Sequence, residues 1–136
     1  MNLAKIMIPK VMVVYVYDHS TVRQGLEAMA HHGYTAIPVL DSDDRYIGSV
    51  SEGDFLRCVM DLGTTDKHRL ETVYIRDIVR KDFITALPVN ADEDVTVEAA
   101  LKQNYVPIVD DRNALCGLLT RRRLIKYLAK KDTKDP

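Results

Sequence analysis

Thr120-Arg121-Arg122-Arg123 places a hydroxyl and three guanidiniums directly before a stretch of helical periodicity. A helix start offers unpaired backbone N–H groups and the positive end of the helix dipole, and an arginine fork adds bidentate donors; together they suit a phosphate. Between Arg121 and Lys131 there are six basic residues and no acidic one. Cations at a helix start are electrostatically misplaced, a small penalty that a bound anion relieves. A solvated basic face accounts for Lys126, Lys130 and Lys131, whereas Arg121 and Arg122 are assigned to the anion. Arg123 lies one position before an apolar stripe and is expected to be half-buried.

Catalytic chemistry has a weaker basis. A nucleophile or general base needs an orienting partner, yet His19, His31, His32 and His68 are scattered, and the adjacent pair His31-His32 points in two directions. No His-x-x-x-His pair, Gly-x-Ser-x-Gly elbow or Walker lysine loop occurs. Asp92-Glu93-Asp94 reads as an acidic helix cap, and Asp41-Ser42-Asp43-Asp44 as a turn without the ligand spacing of a calcium loop. The expectation is a non-enzyme with no metal and no required cofactor.

These residues must be carried by about one domain's worth of chain, 136 residues with 46% apolar and 29% charged side chains. That composition is globular. Lys and Arg number 19 against 20 Asp and Glu, a net charge of -1 that argues against a nucleic-acid coat. Cys58 and Cys116 are too few for a disulfide framework and read as two buried thiols in a reducing cytosol. The longest apolar run, Val11 to Tyr17, is far short of the ~20 residues of a membrane span, and no signal peptide is apparent. A soluble, cytoplasmic protein is expected.

The strongest organising signal is an internal repeat. Laid over the later part of the chain, Ala36–Met60 falls on Tyr105–Ala129 without a gap. Only Pro38/Pro107, Asp41/Asp110 and Gly48/Gly117 are identical, but the apolar pattern agrees almost throughout. Each copy predicts a strand after an early Pro, a polar turn, a second strand making a hairpin, and then Ser51 or Thr120 as helix N-cap. The stripe that follows is Phe55, Leu56, Val59 and Met60 in one copy, and Leu124, Ile125 and Leu128 in the other. Upstream, Met12–Tyr17 and Phe83–Val89 read as strands. Asp18 or Ser20 is expected to cap a helix with Val22, Leu26, Met29 and Ala30 inward; the later counterpart buries Val97, Ala100 and Leu101. The stretch from Thr96-Val97 to Pro107 is well shorter than that from Thr21-Val22 to Pro38, which predicts a second helix shorter by more than a turn. The fold class is α+β, with a repeat boundary near residue 70, giving motifs 1–70 and 71–136.

A β-α-β-β-α unit occurring twice, with Gly followed by two apolar residues and Ser or Thr at the last strand-to-helix junction, resembles the CBS domain family. The motifs carrying it are Gly33-Tyr34-Thr35-Ala36-Ile37-Pro38-Val39-Leu40-Asp41, Gly48-Ser49-Val50-Ser51-Glu52-Gly53-Asp54 and Gly117-Leu118-Leu119-Thr120-Arg121-Arg122-Arg123. The resemblance covers nearly the whole chain. It implies two motifs packed pseudo-symmetrically through their sheets (a Bateman module) and a regulatory sensor. The implied ligand is an adenine nucleotide, AMP, ATP or cyclic di-AMP, held in the cleft between motifs. It further implies a homodimer and an unknown target protein, with no membrane or nucleic-acid partner.

Carried over residue by residue, Ser51 meets phosphate or ribose and Asp54 takes the ribose hydroxyls. Lys10, Val11, Met12 and Val13 supply base and phosphate contacts, with an ordinary buried strand the equal alternative for Val11 and Val13, and Tyr34, Ala36, Pro38 and Pro107 complete the pocket. The second copy departs from the family pattern, because Arg123 stands where Asp54 stands in the first. One half thus suits ribose and the other phosphate, with Thr120, Arg121 and Arg122 the main anion site. The alternatives are a ligand-independent interaction module and, ranked lower, a DNA-binding regulator using the basic helix.

Overall fold

The computed structural model describes residues 1–134, with side chains to Lys131. In chain order the elements are β1 (Ile8–Pro9), β2 (Val16–Tyr17), α1 (Val22–His32), β3 (Ala36–Leu40), β4 (Tyr46–Ser51), α2 (Glu52–Leu62), α3 (Lys67–Leu70), β5 (Leu87–Pro88), α4 (Glu93–Lys102), β6 (Tyr105–Val109), β7 (Leu115–Thr120) and α5 (Arg121–Lys134). Single 3-10 turns at Leu3–Lys5, Lys10–Met12 and Ile75–Asp77 join them.

Two compact units form, Val14–Phe83 and a second built from Met1–Val13 together with the chain from Ile84 onward. The repeat boundary near residue 70 therefore divides the sequence but not the space. The segment Met1–Val13 completes the sheet of the second copy, and the chain from residue 71 to Phe83 stays with the first.

In the Val14–Phe83 unit the sheet runs β2-β3-β4, β2 parallel to β3 and β3 antiparallel to β4. Arg80 adds a bridge to Ser49 at the free edge of β4. Val22, Ile37, Val39, Val50 and Ile75 are essentially solvent-free in its core, with Phe55 beside them. In the other unit the order is β1-β7-β6-β5, and β1 pairs antiparallel with β7, Ile8 opposite Leu118 and Pro9 opposite Gly117. Its core holds Leu3, Val106, Ile108, Leu119 and Leu124.

Two of the three identities of the repeat, the Asp and the Gly pairs, have a geometric cause. Asp41 Oδ1 accepts from the amides of Asp43 and Arg45, and Asp110 Oδ1 from those of Arg112 and Ala114. These are two equivalent side-chain-closed turns, with Asp44 and Asn113 left-handed at φ 62° and 65°. Pro38 and Pro107 sit opposite Ser49 and Leu118 in the two hairpins. Gly48 and Gly117 lie where another backbone approaches: an added Cβ would stand 2.4 Å from the Arg80 carbonyl oxygen and 2.2 Å from that of Ile8.

Several expectations are corrected. The strands expected over Met12–Tyr17 and Phe83–Val89 shrink to Val16–Tyr17 and Leu87–Pro88. Lys10–Met12 turns instead, the Val13 amide donating to the Lys10 carbonyl at 2.9 Å. β-branched composition favours extended backbone but cannot supply a partner strand, and pairing decides. α1 is capped by Thr21 in a reciprocal box with Gln24, not by Asp18 or Ser20. α4 follows Asp92 and is only one residue shorter than α1, 10 against 11, rather than more than a turn shorter. The Thr-Val pairs are not equivalent, because α4 begins at Glu93, ahead of Thr96, whereas Thr21 itself caps α1. Ala30, Leu56, Met60, Leu101 and Ile125, all expected inward, are exposed, Met60 by 72%, Leu101 by 74% and Ile125 by 65%. Each apolar pair buries one member against the sheet; a helix face about 100° wide reaches no further. Cys58 is buried as expected, but Cys116 only half-buried.

Candidate functional site

Both strand-to-helix junctions place a hydroxyl at a helix N-cap. Thr120 Oγ1 accepts from the Arg123 amide at 3.2 Å, starting α5. Ser51 Oγ accepts from the Asp54 amide, and Asp54 Oδ2 accepts in return from the Ser51 amide at 2.8 Å and the Ser51 hydroxyl at 3.0 Å.

The three arginines of α5 differ in their surroundings. Arg121 reaches back to the end of α4, Nε donating to the Ala100 carbonyl at 2.6 Å and Nη2 to the Leu101 carbonyl at 3.2 Å. It neutralises carbonyls that the helix end leaves without partners. Arg122 is exposed. Arg123 is exposed too, not half-buried, and lines a groove of about 400 Å³ with Lys5, Ile6, Lys126, Tyr127 and Lys130.

In the first copy, Asp54 is the most enclosed ionisable group of the junction, its side chain 4% exposed. Arg57 Nη2 donates to Asp54 Oδ1, and Arg80 Nε lies 3.0 Å from the same oxygen. Arg80 Nη2 donates to Ser51 Oγ at 3.3 Å, and the guanidinium lies over the Phe83 ring at 3.8 Å. Burial pushes the Asp54 carboxyl up, but the Ser51 amide and hydroxyl and the two guanidiniums outweigh it and hold it below the usual carboxylate value. Sequence reasoning missed both Arg57 and Arg80. Arg57 was within its reach, one helical turn after Asp54 on the same face; Arg80, far along the chain beyond α3, carried no local signal.

The remaining expected residues are scattered. Val11 and Met12 are 88% and 70% exposed, so the buried-strand alternative for Val11 does not hold; Lys10 and Val13 are half-buried. Pro38 and Pro107 are buried within their sheets, and Ala36 is half-buried opposite Ser51. Tyr34 is 48% exposed, stacked on His32, and lines a groove of about 460 Å³ with Leu26, Met29, Glu52, Leu56 and Val59. Among the described residues no cluster of three His, Cys, Asp or Glu could hold a metal, and no helix is long and apolar enough to cross a membrane.

Comparison with known proteins agrees with this architecture. The CBS domain model matches residues 3–61 and 75–130. Inosine-5'-monophosphate dehydrogenase of Methanocaldococcus jannaschii is 29% identical over 120 residues, 84% of this chain and 21% of that protein. Cyclic di-AMP receptor B of Bacillus subtilis is 25% identical over 118 residues, 87% of this chain and 80% of the receptor. The chain spans less than half the length of several curated relatives it matches. Among solved structures, the Listeria monocytogenes CbpB protein in complex with c-di-AMP superposes with a TM-score of 0.80 at 25% identity, covering 99% of this chain and all of that one. With two matched copies spanning most of its length, this chain belongs to the CBS domain family as a tandem pair.

Proposed function

We propose that this tandem pair is a regulatory sensor of an adenine nucleotide, cyclic di-AMP first among the candidates, and that it passes ligand binding on to a partner protein. The observation that carries this reading is the likeness along the full chain to a protein solved with c-di-AMP. It is supported by the Thr120 hydroxyl and the exposed Arg122 and Arg123 at the start of α5. A ligand with two phosphates suits an arginine-rich helix start better than a neutral nucleoside does. Binding acts by stabilising one arrangement of a protein that already samples more than one, a population shift without chemistry.

The same reading takes the protein to be cytoplasmic, which the two free thiols support, and homodimeric. Leu56 and Met60, exposed on one face of α2, support a second copy covering them. A thermal-shift panel of AMP, ATP, cyclic di-AMP and adenosine tests the ligand. At a hundredfold excess over Kd the true ligand stabilises by about 2.7 kcal/mol and raises the midpoint by roughly 5–10 °C. Flat midpoints across the panel refute the sensor and leave the interaction module.

A further inference from the structure

We propose that the basic groove between α5 and the Leu3–Lys5 turn docks an acidic, extended segment of a partner protein. This names the surface through which the sensor proposed above meets its partner, and it rests on that reading only in taking the occupant to be a protein.

The groove lies within the unit built from Met1–Val13 and the chain from Ile84 onward. One wall is a flank of α5, where Arg123, Lys126, Tyr127 and Lys130 recur at spacings of three and four residues and so share a face. The other wall is Lys5 with Ile6. Both walls are anchored in one core: Leu3 is fully buried there, its amide donating to the Val89 carbonyl at 3.0 Å, and Leu124 packs in the same cluster. Asn2 caps the Leu3–Lys5 turn, its side chain accepting from the Ala4 amide at 3.1 Å, and Lys5 is left exposed at the rim.

Four cations line this groove and no acid does. Lys102 and Lys131 each meet a glutamate, at 2.9 Å and 2.7 Å, whereas Lys5, Arg123 and Lys126 meet no carboxylate among the described residues. Arg123 with Lys126, and Lys126 with Lys130, are like charges at helical-neighbour spacing, which costs helix stability. A bound acid relieves that repulsion.

The chemistry favours carboxylates set along a chain. Three of the four cations are lysines, point charges without the fork that grips one phosphate bidentately. At a rise of ~1.5 Å per residue the flank runs about 10 Å, which an extended chain at ~3.3 Å per residue covers with about three residues. Ile6 and Tyr127, both half-buried, put apolar surface among the cations. That surface suits an apolar side chain between acids, and a nucleic-acid backbone has none to offer. A net charge of -1 also gives the chain no overall positive field to gather a polyanion.

The test is fluorescence anisotropy on the full chain without nucleotide, using a labelled peptide of Glu and Asp around a central Leu. Saturable, salt-sensitive binding is expected, with NMR shifts at the Ile6 methyl groups and the Tyr127 ring. Lys126→Glu and Lys5→Glu are each expected to weaken the peptide at least fivefold, and Lys126→Gln by less. Lys67→Glu, the same charge change at an exposed residue of the other unit, is expected to weaken it less than twofold. All four substitutions sit at exposed positions, and unchanged circular dichroism confirms the fold. No saturable binding overturns the proposal, as does equal loss in the three charge reversals. A single-stranded DNA or a phosphatidylserine vesicle that binds more tightly than the peptide, with the same dependence on Lys5 and Lys126, overturns it in favour of that polyanion. Because no nucleotide is present, flat thermal-shift midpoints refute the nucleotide reading and leave peptide docking to stand or fall by itself.

Discussion

Gly48 lies directly beneath the carbonyl of Arg80: a methyl group at residue 48 would stand 2.4 Å from that oxygen and 2.9 Å from Val79 Cγ2. The contact exists because Arg80 and Ser49 exchange backbone hydrogen bonds, each at 3.1 Å, which presses the returning chain onto β4. Gly48→Ala must therefore push backbone, not a side-chain tip. It is expected to cost about 1–3 kcal/mol, nearer the upper end. In a urea titration the midpoint falls with little change of slope. Gly53→Ala on α2, whose Cβ would meet nothing closer than 3.6 Å, serves as control and is expected to change stability by less than about 1 kcal/mol in the stabilising direction. Equal losses for the two variants would sink the close-approach account.

Arg121 and Arg122 are neighbours in sequence with different partners, so their single substitutions should separate. Arg121→Ala strips donors from the Ala100 and Leu101 carbonyls and is expected to cost about 1 kcal/mol of stability. Arg122→Ala, at an exposed position, should stay within about 0.5 kcal/mol while weakening cyclic di-AMP at least tenfold. Urea midpoints and calorimetry on the same preparations decide. An Arg122 variant with unchanged affinity removes that residue from the anion site.

Asp54 links this region to pH. Its carboxyl is held below the ordinary value in the folded chain, so the unfolded chain binds its proton first as pH falls. The stabilisation is fully present above the unfolded value of about 3.9 and is lost as pH drops through the folded value. Asp54→Asn is expected to be about 1–2 kcal/mol less stable at pH 7, with the gap from wild type narrowing below about pH 4. Parallel stability curves for the two proteins between pH 3 and 7 would show that Asp54 does not carry this dependence.

Much of the fold was legible where the information is local. The side-chain-closed turns at Asp41 and Asp110 and the N-caps at Ser51 and Thr120 depend on near neighbours in the chain, and their residue types announce them. The helix stripes were legible in period but not in width. Leu56 and Ile125 continue the apolar pattern yet face solvent, because how far a helix sinks depends on what it packs against.

The candidate site divides along the same line. That Ala36–Met60 and Tyr105–Ala129 are copies, that hydroxyls start both last helices, and that arginine replaces the acid of the first copy were all set by sequence, since each follows from residue type and spacing. The tertiary structure alone decided that Met1–Val13 completes the second copy's sheet, that Arg121 closes α4, and that Arg80 meets Asp54 beside Arg57. Those relationships join segments far apart in the chain, and no local propensity encodes which distant carbonyl or carboxylate a guanidinium will meet. Chain return and packing bring them together.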